Sequence, residues 1–424
     1  MFQQHRSLVE CAQRILTAAK EIEQRDSNSD LVTQSRRAIA EATQELQNIV
    51  LTPSELLEHH QINYQNLSCL RWLIRFNIFN LVSADGSPMP YSELAMLAGV
   101  PLARLQSVAR MAMTSGLFVE PSPGLISHSA LSAPFATDES LRDWARFMTT
   151  YSAPMASGMA EATVRWGETY AKHQTAFNVS FDTELPWFDY VKATPGLPEE
   201  FAGYMRAMGH STSGRLQHLV EGFDWASLGR HAVVVDVGGS TGQASIALAE
   251  AFPDLQLVVQ DLPEVVAVGA GMRRNVGVNK GSESEVTARI EFEAHDFFDP
   301  QPVVTGAAAP AVYLLRKILH DWPFERARVI CQHLADALLA NRNPDAMVVI
   351  MDTILPPPGT VGHLQEAGLR VRDLTMAQCF NSKERELLEW EELLGSTSPP
   401  LIIKSWKQPL GSAMAVMTAA IKPF

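Results

Sequence analysis

The sequence has few cysteines, no long apolar segment and a shortage of positive charge. Its four cysteines are far apart in 424 residues, at Cys11, Cys69, Cys331 and Cys379. Because this spacing fits neither a zinc site nor a disulfide framework, we expect buried thiols and no bound metal. No apolar run has membrane-spanning length, and residues 1–10 lack the pattern of a secretion signal. We therefore expect a soluble, cytoplasmic protein without a membrane partner.

The charge balance excludes another class of partner. Lysine and arginine together number 34 against 47 acidic residues, and the formal net charge is −13. Because nucleic-acid binding depends on positive charge that meets the phosphate backbone, we expect no nucleic-acid partner. The hydrophobic content of 46% is enough to build the cores of two or three domains.

One stretch carries the strongest chemical signal: Val233 to Gln243, with the sequence VVVDVGGSTGQ. A β-branched run that breaks into glycines before an apolar helical pattern predicts a buried strand, a tight loop and a helix N-terminus. Gly238 and Gly242 can adopt backbone angles closed to other residues, and Asp236 can accept hydrogen bonds from an amine or a hydroxyl. The spacing differs from a dinucleotide fingerprint, and no Lys-Ser/Thr pair follows as a phosphate loop requires.

A second acidic residue closes the next predicted strand. Leu255 to Gln260 is apolar, and Asp261 follows it in the sequence VVQDLP. In a βαβ unit, an acid at this place can bind a ribose diol. Each motif alone is typical of an ordinary turn, but together they predict a site for a nucleoside-type cofactor.

Alternating strand and helix patterns after Asp224 predict an α/β fold with a doubly wound parallel sheet. Its strands are predicted at Ala232–Val237, Leu255–Gln260, Ile290–Glu293, Ala311–Leu315 and Ala346–Met351. Leu401–Trp406 and Met414–Ile421 are predicted to add an antiparallel edge pair. Ligands of such sheets bind at the carboxyl ends of the strands, so the residues after each strand are the candidates for chemistry.

The N-terminal part is predicted to be helical. Phe2–Gln24 and Leu31–Val50 have the spacing of amphipathic helices without a core of their own, which pack against a partner subunit or against a later part of the chain. Three further helices and a hairpin over 117–128 follow in the order of a winged helix-turn-helix. These helices are predicted at Leu67–Leu81, Tyr91–Ala98 and Leu102–Ser115.

The third of these helices decides how the winged helix is interpreted. Arg104 and Arg110 are its only cations, whereas contacts to phosphate need a cluster of positive charge. We therefore predict a dimerisation module and no DNA binding. The chain is divided into an N-terminal helical and winged-helix domain at 1–130, a helical lid at 131–222 and an α/β domain at 223–424.

The predicted lid is rich in methionine and aromatic residues. Such side chains usually form core, but this region lies between two domains whose own cores are accounted for. The alternative is a wall for an apolar, aromatic or polyketide-like ligand.

Polar and aromatic side chains follow the third predicted strand. Asp296 can accept a hydrogen bond from the exocyclic amine of a purine, and Phe297 can cover the face of its ring. The alternative for Asp296 is a simple loop acid.

A denser group follows the fourth predicted strand, where Arg316, Lys317, His320 and Asp321 lie close in sequence. Histidine is the side chain best matched to proton transfer near neutral pH, and a neighbouring acid can fix its tautomer. Asp352 at the next strand end, and Glu384 further on, are each placed to orient an imidazole.

These motifs resemble the S-adenosylmethionine-dependent O-methyltransferases of plants and fungi, and the fungal secondary-metabolism branch fits best. The shared motifs, spread over nearly the whole chain, are DVGGSTG, VQDLP, HDFF, LHDW, ILP and KER. The resemblance implies a class I methyltransferase (Rossmann-like) domain, S-adenosylmethionine (SAM) as cofactor and a homodimer formed through the N-terminal domain. It implies cofactor contacts by Asp236, Gly238, Gly239, Asp261, Leu262, Asp296, Phe297 and Arg316.

The resemblance also implies that His320 is a general base supported by Asp352 and Glu384. This sequence departs from the family in details that leave the cofactor site intact. Ser240 stands where a third glycine is usual, and Asp352 stands where glutamate is common.

A subgroup of this family, the O-methyltransferase-like pericyclases of pyridone-alkaloid pathways, keeps the fold and the cofactor site. In that subgroup a lysine beside the base motif and a threonine before the cofactor domain contact the substrate, and Lys317 and Thr212 match these positions. An ammonium that donates to a pyridone carbonyl would activate an electron-poor diene, and a fixed hydroxyl would select one conformer. We therefore predict dehydration of a pyridone alcohol to a quinone methide and its Alder-ene or hetero-Diels-Alder cyclisation, without consumption of SAM.

Two other functions stay open. One is methyl transfer to a phenolic or enolic hydroxyl with His320 as general base, in which case Lys317 is a solvated cation and Thr212 bonds to local backbone. The other is a cofactor-sensing regulator that uses the winged helix, although the acidic net charge argues against it.

Overall fold

The computed structural model describes residues 7–24, 30–276, 282–302, 309–341 and 343–422. The chain divides into two compact units. The first comprises Met1–Ser157, Phe188–Ala207 and Pro357–Val371, and the second comprises Gly158–Trp187, Met208–Pro356 and Arg372–Phe424. Within the ranges described, the helices are all too short or too polar to cross a bilayer.

Helices dominate the chain before the large sheet. They are α1 (Leu8–Glu23), α2 (Asp30–Val50), α3 (Pro53–Arg75), α4 (Ile78–Leu81), α5 (Tyr91–Ala98), α6 (Leu102–Met113), α7 (Ala133–Thr137), α8 (Glu139–Phe147), α9 (Ala153–Trp166), α10 (Ala176–Phe181), α11 (Trp187–Ala193), α12 (Leu197–His210) and α13 (Gln217–Gly222). A π-helical turn, Met148–Ser152, joins α8 to α9.

Reciprocal side-chain caps fix where α1 begins. Ser7 accepts the N–H of Glu10 at 3.1 Å, and the Glu10 carboxylate accepts the N–H of Ser7 at 2.7 Å. Such a capping box satisfies two of the N–H groups that a helix leaves free at its start. The helix predicted at Phe2–Gln24 matches α1, and its residues 2–6 lie outside the described residues.

The structure corrects the helix predicted over 67–81. Helix α3 already begins at Pro53, and Asn77, with a left-handed φ of 56°, separates it from α4. The first half of α3 is mostly polar, so apolar periodicity could not reveal it. Its visible signal was the capping box of Thr52 and Glu55.

The predicted winged-helix order is present in the first unit. A three-stranded antiparallel sheet, in the order β1–β3–β2, consists of β1 (Met89–Pro90), β2 (Val119–Ser122) and β3 (Leu125–Ser127). The predicted hairpin is therefore confirmed, whereas β1 was too short to predict. Arg110, one of the two cations of α6, is paired with Glu120 at 2.9 Å, which leaves still less free positive charge for phosphate contacts.

The second unit contains the large sheet. Its strands are β4 (Val233–Val237), β5 (Gln256–Asp261), β6 (Ile290–Ala294), β7 (Pro310–Arg316), β8 (Met347–Asp352), β11 (Leu401–Lys407) and β12 (Ala415–Ile421), and a separate parallel pair is formed by β9 (Ile354–Leu355) and β10 (Arg385–Glu386). The later helices are α14 (Gln243–Ala251), α15 (Pro263–Val276), α16 (Ser282–Ala288), α17 (Phe324–Ala340), α18 (His363–Phe380) and α19 (Leu387–Gly395).

The strand order of the large sheet is β11–β12–β8–β7–β4–β5–β6. The five strands from β8 to β6 are parallel, while β12 is antiparallel to β8 and β11 is antiparallel to β12. The predicted doubly wound sheet and its antiparallel edge pair are thus confirmed, with bounds that shift by at most one residue.

The alternation of side chains along the strands gives the sheet two buried faces. Val235 and Leu315 belong to one core, which includes Trp390 of α19. Val234 and Leu314 belong to the other, which includes Leu248 of α14. Because both faces are covered, polar chemistry is left to the carboxyl ends of the strands, where β4, β5, β7 and β8 end side by side.

Candidate active site

In the loop from β4 to α14, a side chain at Gly238 or Gly239 would clash with neighbouring atoms. The N–H groups of Gly238 and Gly239 donate to the carbonyl of Gln260 at 2.8 and 3.1 Å. A Cβ on Gly238 would lie 2.6 Å from Ile318 Cδ1, and a Cβ on Gly239 would lie 2.6 Å from Asp236 Cγ. Gly238 also has a φ of 72°, which other residues rarely adopt. The loop is therefore bonded to β5 and has no room for a side chain at these two positions.

Asp236 is the last residue but one of β4, just before this loop, and is 1% exposed. The Ser245 hydroxyl, on α14, donates to its carboxylate at 2.8 Å. Burial raises the pKa of Asp236 to about 6, although the Ser245 hydrogen bond and the Arg316 charge act in the opposite direction. Asp236 is therefore an acid whose charge is sensitive to its surroundings.

Asp261 ends β5 and is held by backbone donors. Its Oδ2 accepts the N–H of Ser240, and its Oδ1 accepts the N–H of Leu262, each at 2.8 Å. Burial raises the pKa of this carboxyl. Ser240 has a left-handed φ of 53°, so serine adopts at this place a conformation that suits glycine. Leu262 is 41% exposed, so an apolar side chain lies at the surface beside Asp261.

Asp296 and Phe297 form a turn after β6. The carboxylate of Asp296 accepts the N–H of Phe298 at 2.9 Å, which fixes the turn. A Cβ on Gly238 would lie 3.4 Å from Phe297 Cε1, so the turn and the glycine loop are neighbours. The structure thus brings these two predicted residues to the cofactor corner, which we define as Asp236, Gly238, Gly239, Asp261, Leu262, Asp296, Phe297 and Arg316.

Arg316, at the end of β7, has a hydrogen-bond donor without an acceptor among the described residues. One of its terminal nitrogens donates to the carbonyl of Gly214 at 3.2 Å. Its Nε is buried, and no described residue accepts a hydrogen bond from it. Burial lowers the pKa of Arg316. A buried donor without an acceptor fits a ligand that carries a hydrogen-bond acceptor.

Lys317 follows Arg316 and has a left-handed φ of 57°. Its N–H donates to the carbonyl of Met351 at 3.1 Å, so pairing with β8 supports this backbone conformation. Burial, and then the charges of Arg316 and Arg372, lower the pKa of Lys317 to about 7. Across the described ranges, its ammonium has neither a hydrogen bond nor an ion pair with protein.

Thr212 lies in an exposed part of the segment after α12. The ring of His218 approaches its carbonyl at 2.8 Å, and the neighbouring Gly214 accepts the hydrogen bond from Arg316. The structure therefore ties this segment to the cofactor corner through Arg316. Among described residues, Thr212 makes no hydrogen bond to Lys317 or His320.

His320 is surrounded by carboxylates. Its Nδ1 lies 2.8 Å from Asp352 Oδ1 and 3.4 Å from Glu384 Oε1, and its Nε2 lies 3.4 Å from Asp321 Oδ1. Burial lowers the pKa of His320, but the three carboxylates outweigh burial and raise this pKa well above its ordinary value. We call His320, Asp321, Asp352 and Glu384 the proton network.

The acids of the proton network differ in their environments. Burial raises the pKa of Asp321 to about 6. For Asp352, burial acts in the same direction, but the His320 charge and hydrogen bonds prevail and lower its pKa. At neutral pH the imidazolium is therefore stabilised mainly by carboxylates on its Nδ1 side, while Nε2 faces the acid that protonates more readily.

Two cations that the sequence analysis did not single out support the turn that carries His320. Arg385 donates to the carbonyls of Leu319 and Trp322, both at 2.7 Å. The ammonium of Lys172 lies 3.4 Å from the ring centroid of Trp322. Arg385 belongs to the KER motif and could have been found from it, whereas nothing in the sequence around Lys172 connects it to Trp322.

His320, Asp352 and Glu384 also place three potential metal-ligand atoms within 4.8 Å of one another. A cation there would meet Arg372, whose Nε lies 3.6 Å from Glu384 Oε1. His320 Nδ1 and Asp352 Oδ1 are 2.8 Å apart, the distance of a close ion pair, although Nδ1 makes no well-aligned hydrogen bond to any described residue. We therefore interpret the group as a site for proton transfer, and the expectation of no metal stays a prediction.

Comparison with known proteins identifies the family. A family model described as an O-methyltransferase domain matches residues 161–398, more than half of the chain. The chain belongs to this O-methyltransferase family. The predicted family, its fold and SAM as its cofactor are thereby confirmed.

Similar proteins come from fungi. The O-methyltransferase VdtC of Byssochlamys spectabilis is 46% identical over 386 residues, which are 91% of this chain and 86% of VdtC. The O-methyltransferase aurJ of Gibberella zeae is 42% identical over 92% of this chain and 87% of its own length. The dual O-methyltransferase/FAD-dependent monooxygenase CTB3 of Cercospora nicotianae is 47% identical over 92% of this chain. The match spans less than half of CTB3, 43% of its length.

Solved structures share the fold at lower identity. The structure of LepI in complex with SAM matches with a TM-score of 0.74 and 22% identity, covering 97% of this chain and 100% of LepI. OxaC in complex with SAH and oxaline matches with a TM-score of 0.76 and 18% identity, covering 98% of this chain and 99% of OxaC. At these identities the likeness establishes the fold.

Proposed function

We propose that this enzyme methylates a phenolic or enolic hydroxyl of a polyketide-type secondary metabolite, with His320 as general base. Relatives of 42–47% identity over nine tenths of the chain are named as O-methyltransferases, one of them as a dual enzyme. In this chain, the proposal is carried by His320 in the turn after β7, whose Nδ1 is 2.8 Å from Asp352 at the end of the neighbouring strand β8.

The cofactor corner fits SAM. Asp236 and Asp261 offer carboxylates to an amine and to ribose hydroxyls, and Phe297 offers an aromatic face to adenine. The buried Nε of Arg316, which has no acceptor in the described part of the chain, offers a donor. When bound, SAM supplies an electrophilic methyl group on a sulfonium.

His320 is placed to take the proton of the substrate hydroxyl on Nε2, because Nδ1 is engaged by Asp352. The proton then becomes part of an imidazolium that Asp352, Glu384 and Asp321 stabilise. General base catalysis of this kind contributes about 10²- to 10⁴-fold. Lys317, without a protein partner among described residues, can donate to a second oxygen of the substrate.

The first experiment is an incubation of purified protein with SAM and a panel of phenolic polyketides, followed by mass spectrometry. A product heavier by CH₂, with an equal amount of S-adenosylhomocysteine, would support methyl transfer. Wild-type protein that binds SAM yet forms no S-adenosylhomocysteine with any phenol of the panel would count against it.

The pericyclase predicted from the sequence is a second candidate. Lys317 is the observation that favours it. Its side chain has no ion pair with any described residue, and the hydrogen bond from its N–H to the Met351 carbonyl holds its backbone in a left-handed conformation. In this reaction the proton network would protonate the leaving hydroxyl of a pyridone alcohol and accept the proton of the ring hydroxyl. One water would leave, and Lys317 would polarise the carbonyl of the quinone methide.

The same incubation separates the two functions when it includes a pyridone alcohol. A product lighter by one water, without S-adenosylhomocysteine, would support the pericyclase, and its structure would then test ring closure. The two products differ in mass in opposite directions, so one experiment decides between them.

We also propose a homodimer formed through the first unit, with a small molecule as substrate and no nucleic acid as partner. Apolar side chains are exposed on its first helices, for example Val9 at 76% and Leu57 at 67%. Apolar surface of this kind is typical of subunit contacts. Light scattering on the purified protein should give twice the 46.7 kDa chain mass, and a monomer would contradict the proposal.

A further inference from the structure

The buried carboxylate of Glu384, in the proton network, lies near a second cationic side chain besides His320. Glu384 is completely buried, and neither carboxylate oxygen accepts a hydrogen bond from any described residue. Burying a carboxylate without hydrogen bonds is costly unless nearby charge compensates it. Besides His320 Nδ1 at 3.4 Å, Arg372 Nε lies 3.6 Å from Glu384 Oε1.

Two hydrogen bonds hold Arg372 at this distance. The side-chain carboxylate of Asp373, the next residue on α18, accepts the N–H of Glu384 at 3.0 Å, and Ser382 donates its N–H to the carbonyl of Met376 at 3.3 Å. These bonds fix the segment of Glu384 to the helix of Arg372. The Nε of Arg372 is buried and, over the described ranges, donates no hydrogen bond, so its proximity to Glu384 is electrostatic.

We propose that Arg372 is a positioning residue whose guanidinium offsets the negative charge of the proton network, at Glu384 and at Asp352, and thereby sets how strongly His320 retains its proton. The inference rests on the proposed role of His320 in proton transfer. It adds a residue from α18 that lies outside the motifs shared with the family.

The charges around His320 make the sign of this effect clear. The titratable and charged groups that face the proton network come from every element around it. They are Arg316 at the end of β7, Lys317 and Asp321 in the following segment, Asp352 on β8, Arg372 and Cys379 on α18, Glu384 before β10, Arg385 on β10, and Lys172 near Trp322. The carboxylates favour protonated His320, and the cations oppose it. Arg372 is also among the charges that lower the pKa of Lys317.

The charges of Asp352 and Glu384 favour the imidazolium of His320, and a positive charge beside them weakens this effect. Removal of the positive charge of Arg372 therefore raises the pKa of His320. For a charge within a few ångströms of the network, we expect a shift of about one pH unit in Arg372→Gln.

The test is an NMR titration of histidine labelled with ¹³C at Cε1, on the full chain without substrate or cofactor. The His320 resonance is assigned by its loss in His320→Asn. We expect a midpoint about one unit higher in Arg372→Gln and close to wild type in Arg372→Lys. The matched control is Arg370→Gln, which removes the same charge from the same helix at a residue paired with Glu366, and should leave the midpoint unchanged.

Kinetics give the second measurement. In Arg372→Gln the low-pH limb of methyl transfer should move upward by the same amount, so that the rate is about tenfold lower on that limb and recovers about one pH unit higher. A purely structural role would lower the rate at every pH. Unshifted His320 titration in a folded Arg372→Gln would overturn the proposal.

A second pair of variants covers the case in which Arg372→Gln does not fold. Glu384→Gln and the double variant Arg372→Gln/Glu384→Gln differ only in Arg372, and the double variant contains no unpaired Glu384. The proposal expects a higher His320 midpoint in the double variant, and equal midpoints would overturn it. Because the titration needs no substrate, an absence of methyl transfer by wild type would refute the proposed function and leave this result standing.

Discussion

The cofactor corner and the proton network end neighbouring strands of one sheet, but they are built in opposite ways. In the corner, the groups around the glycine loop are bonded by the fold, although the buried Nε of Arg316 has no described acceptor. Asp261 accepts two backbone N–H groups, and the Gln260 carbonyl accepts two more. In the network, both oxygens of Glu384 and one oxygen of Asp352 lack hydrogen bonds from described residues. The corner thus depends on shape, and the network depends on charge.

Because of this difference, the two regions should respond differently to changes in local charge and to added side-chain volume. A loop that is held by backbone hydrogen bonds keeps its geometry when nearby charges change, but it has no room for an added methyl group. Buried charges with few hydrogen bonds respond strongly to any change in local charge, because the low dielectric constant does not screen them. Mutations should therefore affect cofactor binding in the corner and proton transfer in the network.

The largest effect is expected at the centre of the network. His320→Asn removes the proton acceptor, and the turnover number should fall by about 10²- to 10⁴-fold. SAM affinity, measured by calorimetry, should stay within about twofold of wild type, because His320 is not part of the cofactor corner. A comparable loss of SAM affinity would show that the two regions are not separate.

The matching change in the corner is Gly239→Ala. Its Cβ would lie 2.6 Å from Asp236 Cγ and 2.9 Å from Val259 Cγ1, so the loop must move. We expect SAM affinity to fall by at least about tenfold and the free energy of unfolding to fall by about 1–3 kcal/mol. Gly271→Ala is the control, since its Cβ would meet no atom within 4 Å. Unchanged SAM affinity in Gly239→Ala would contradict the shape-dependent corner.

The sequence predicted the corner better than the network for a physical reason. Residues such as Gly238 and Asp261 are neighbours through strand order, and strand order follows from the alternation of apolar patterns. The sheet and its edge pair were predictable in the same way. The polar first half of α3 was not, because it has no apolar periodicity.

The charges of the network come from residues that the chain brings together over longer distances. His320, Asp352 and Glu384 were predicted from strand ends and from the family resemblance, yet their spacing says nothing about the three carboxylates that surround one imidazole. Arg372 and Lys172 act through tertiary position alone. Their contacts with Glu384 and Trp322 join residues on separate elements, which no local pattern reveals.

The pH dependence of wild type sharpens the comparison. Carboxylates raise the pKa of His320 well above its ordinary value. His320 must therefore lose its proton before it can act as a general base. The rate of methyl transfer at low substrate concentration should therefore rise about tenfold per pH unit through neutral pH and level off above that pKa. An acid-catalysed dehydration needs the protonated form, so its rate should stay level over that range and fall about tenfold per pH unit above the pKa of His320. A profile that is flat both below and above this pKa would exclude His320 from the proton transfer that limits either reaction.

The smallest effect is expected at Ser245, the side chain that supports Asp236. Ser245→Ala removes the hydroxyl that donates to Asp236 at 2.8 Å. This hydrogen bond favours the ionised carboxyl, so its loss raises the pKa of Asp236 above its value of about 6. A larger fraction of Asp236 is then neutral at pH 7, and SAM affinity should fall by about two- to fivefold there while approaching wild type at higher pH. Ser227→Ala, which removes an exposed hydroxyl bonded to the carbonyl of Asp224, serves as the control. A loss of affinity that persists at high pH would mean that Ser245 supports the shape of the corner and not the charge of Asp236.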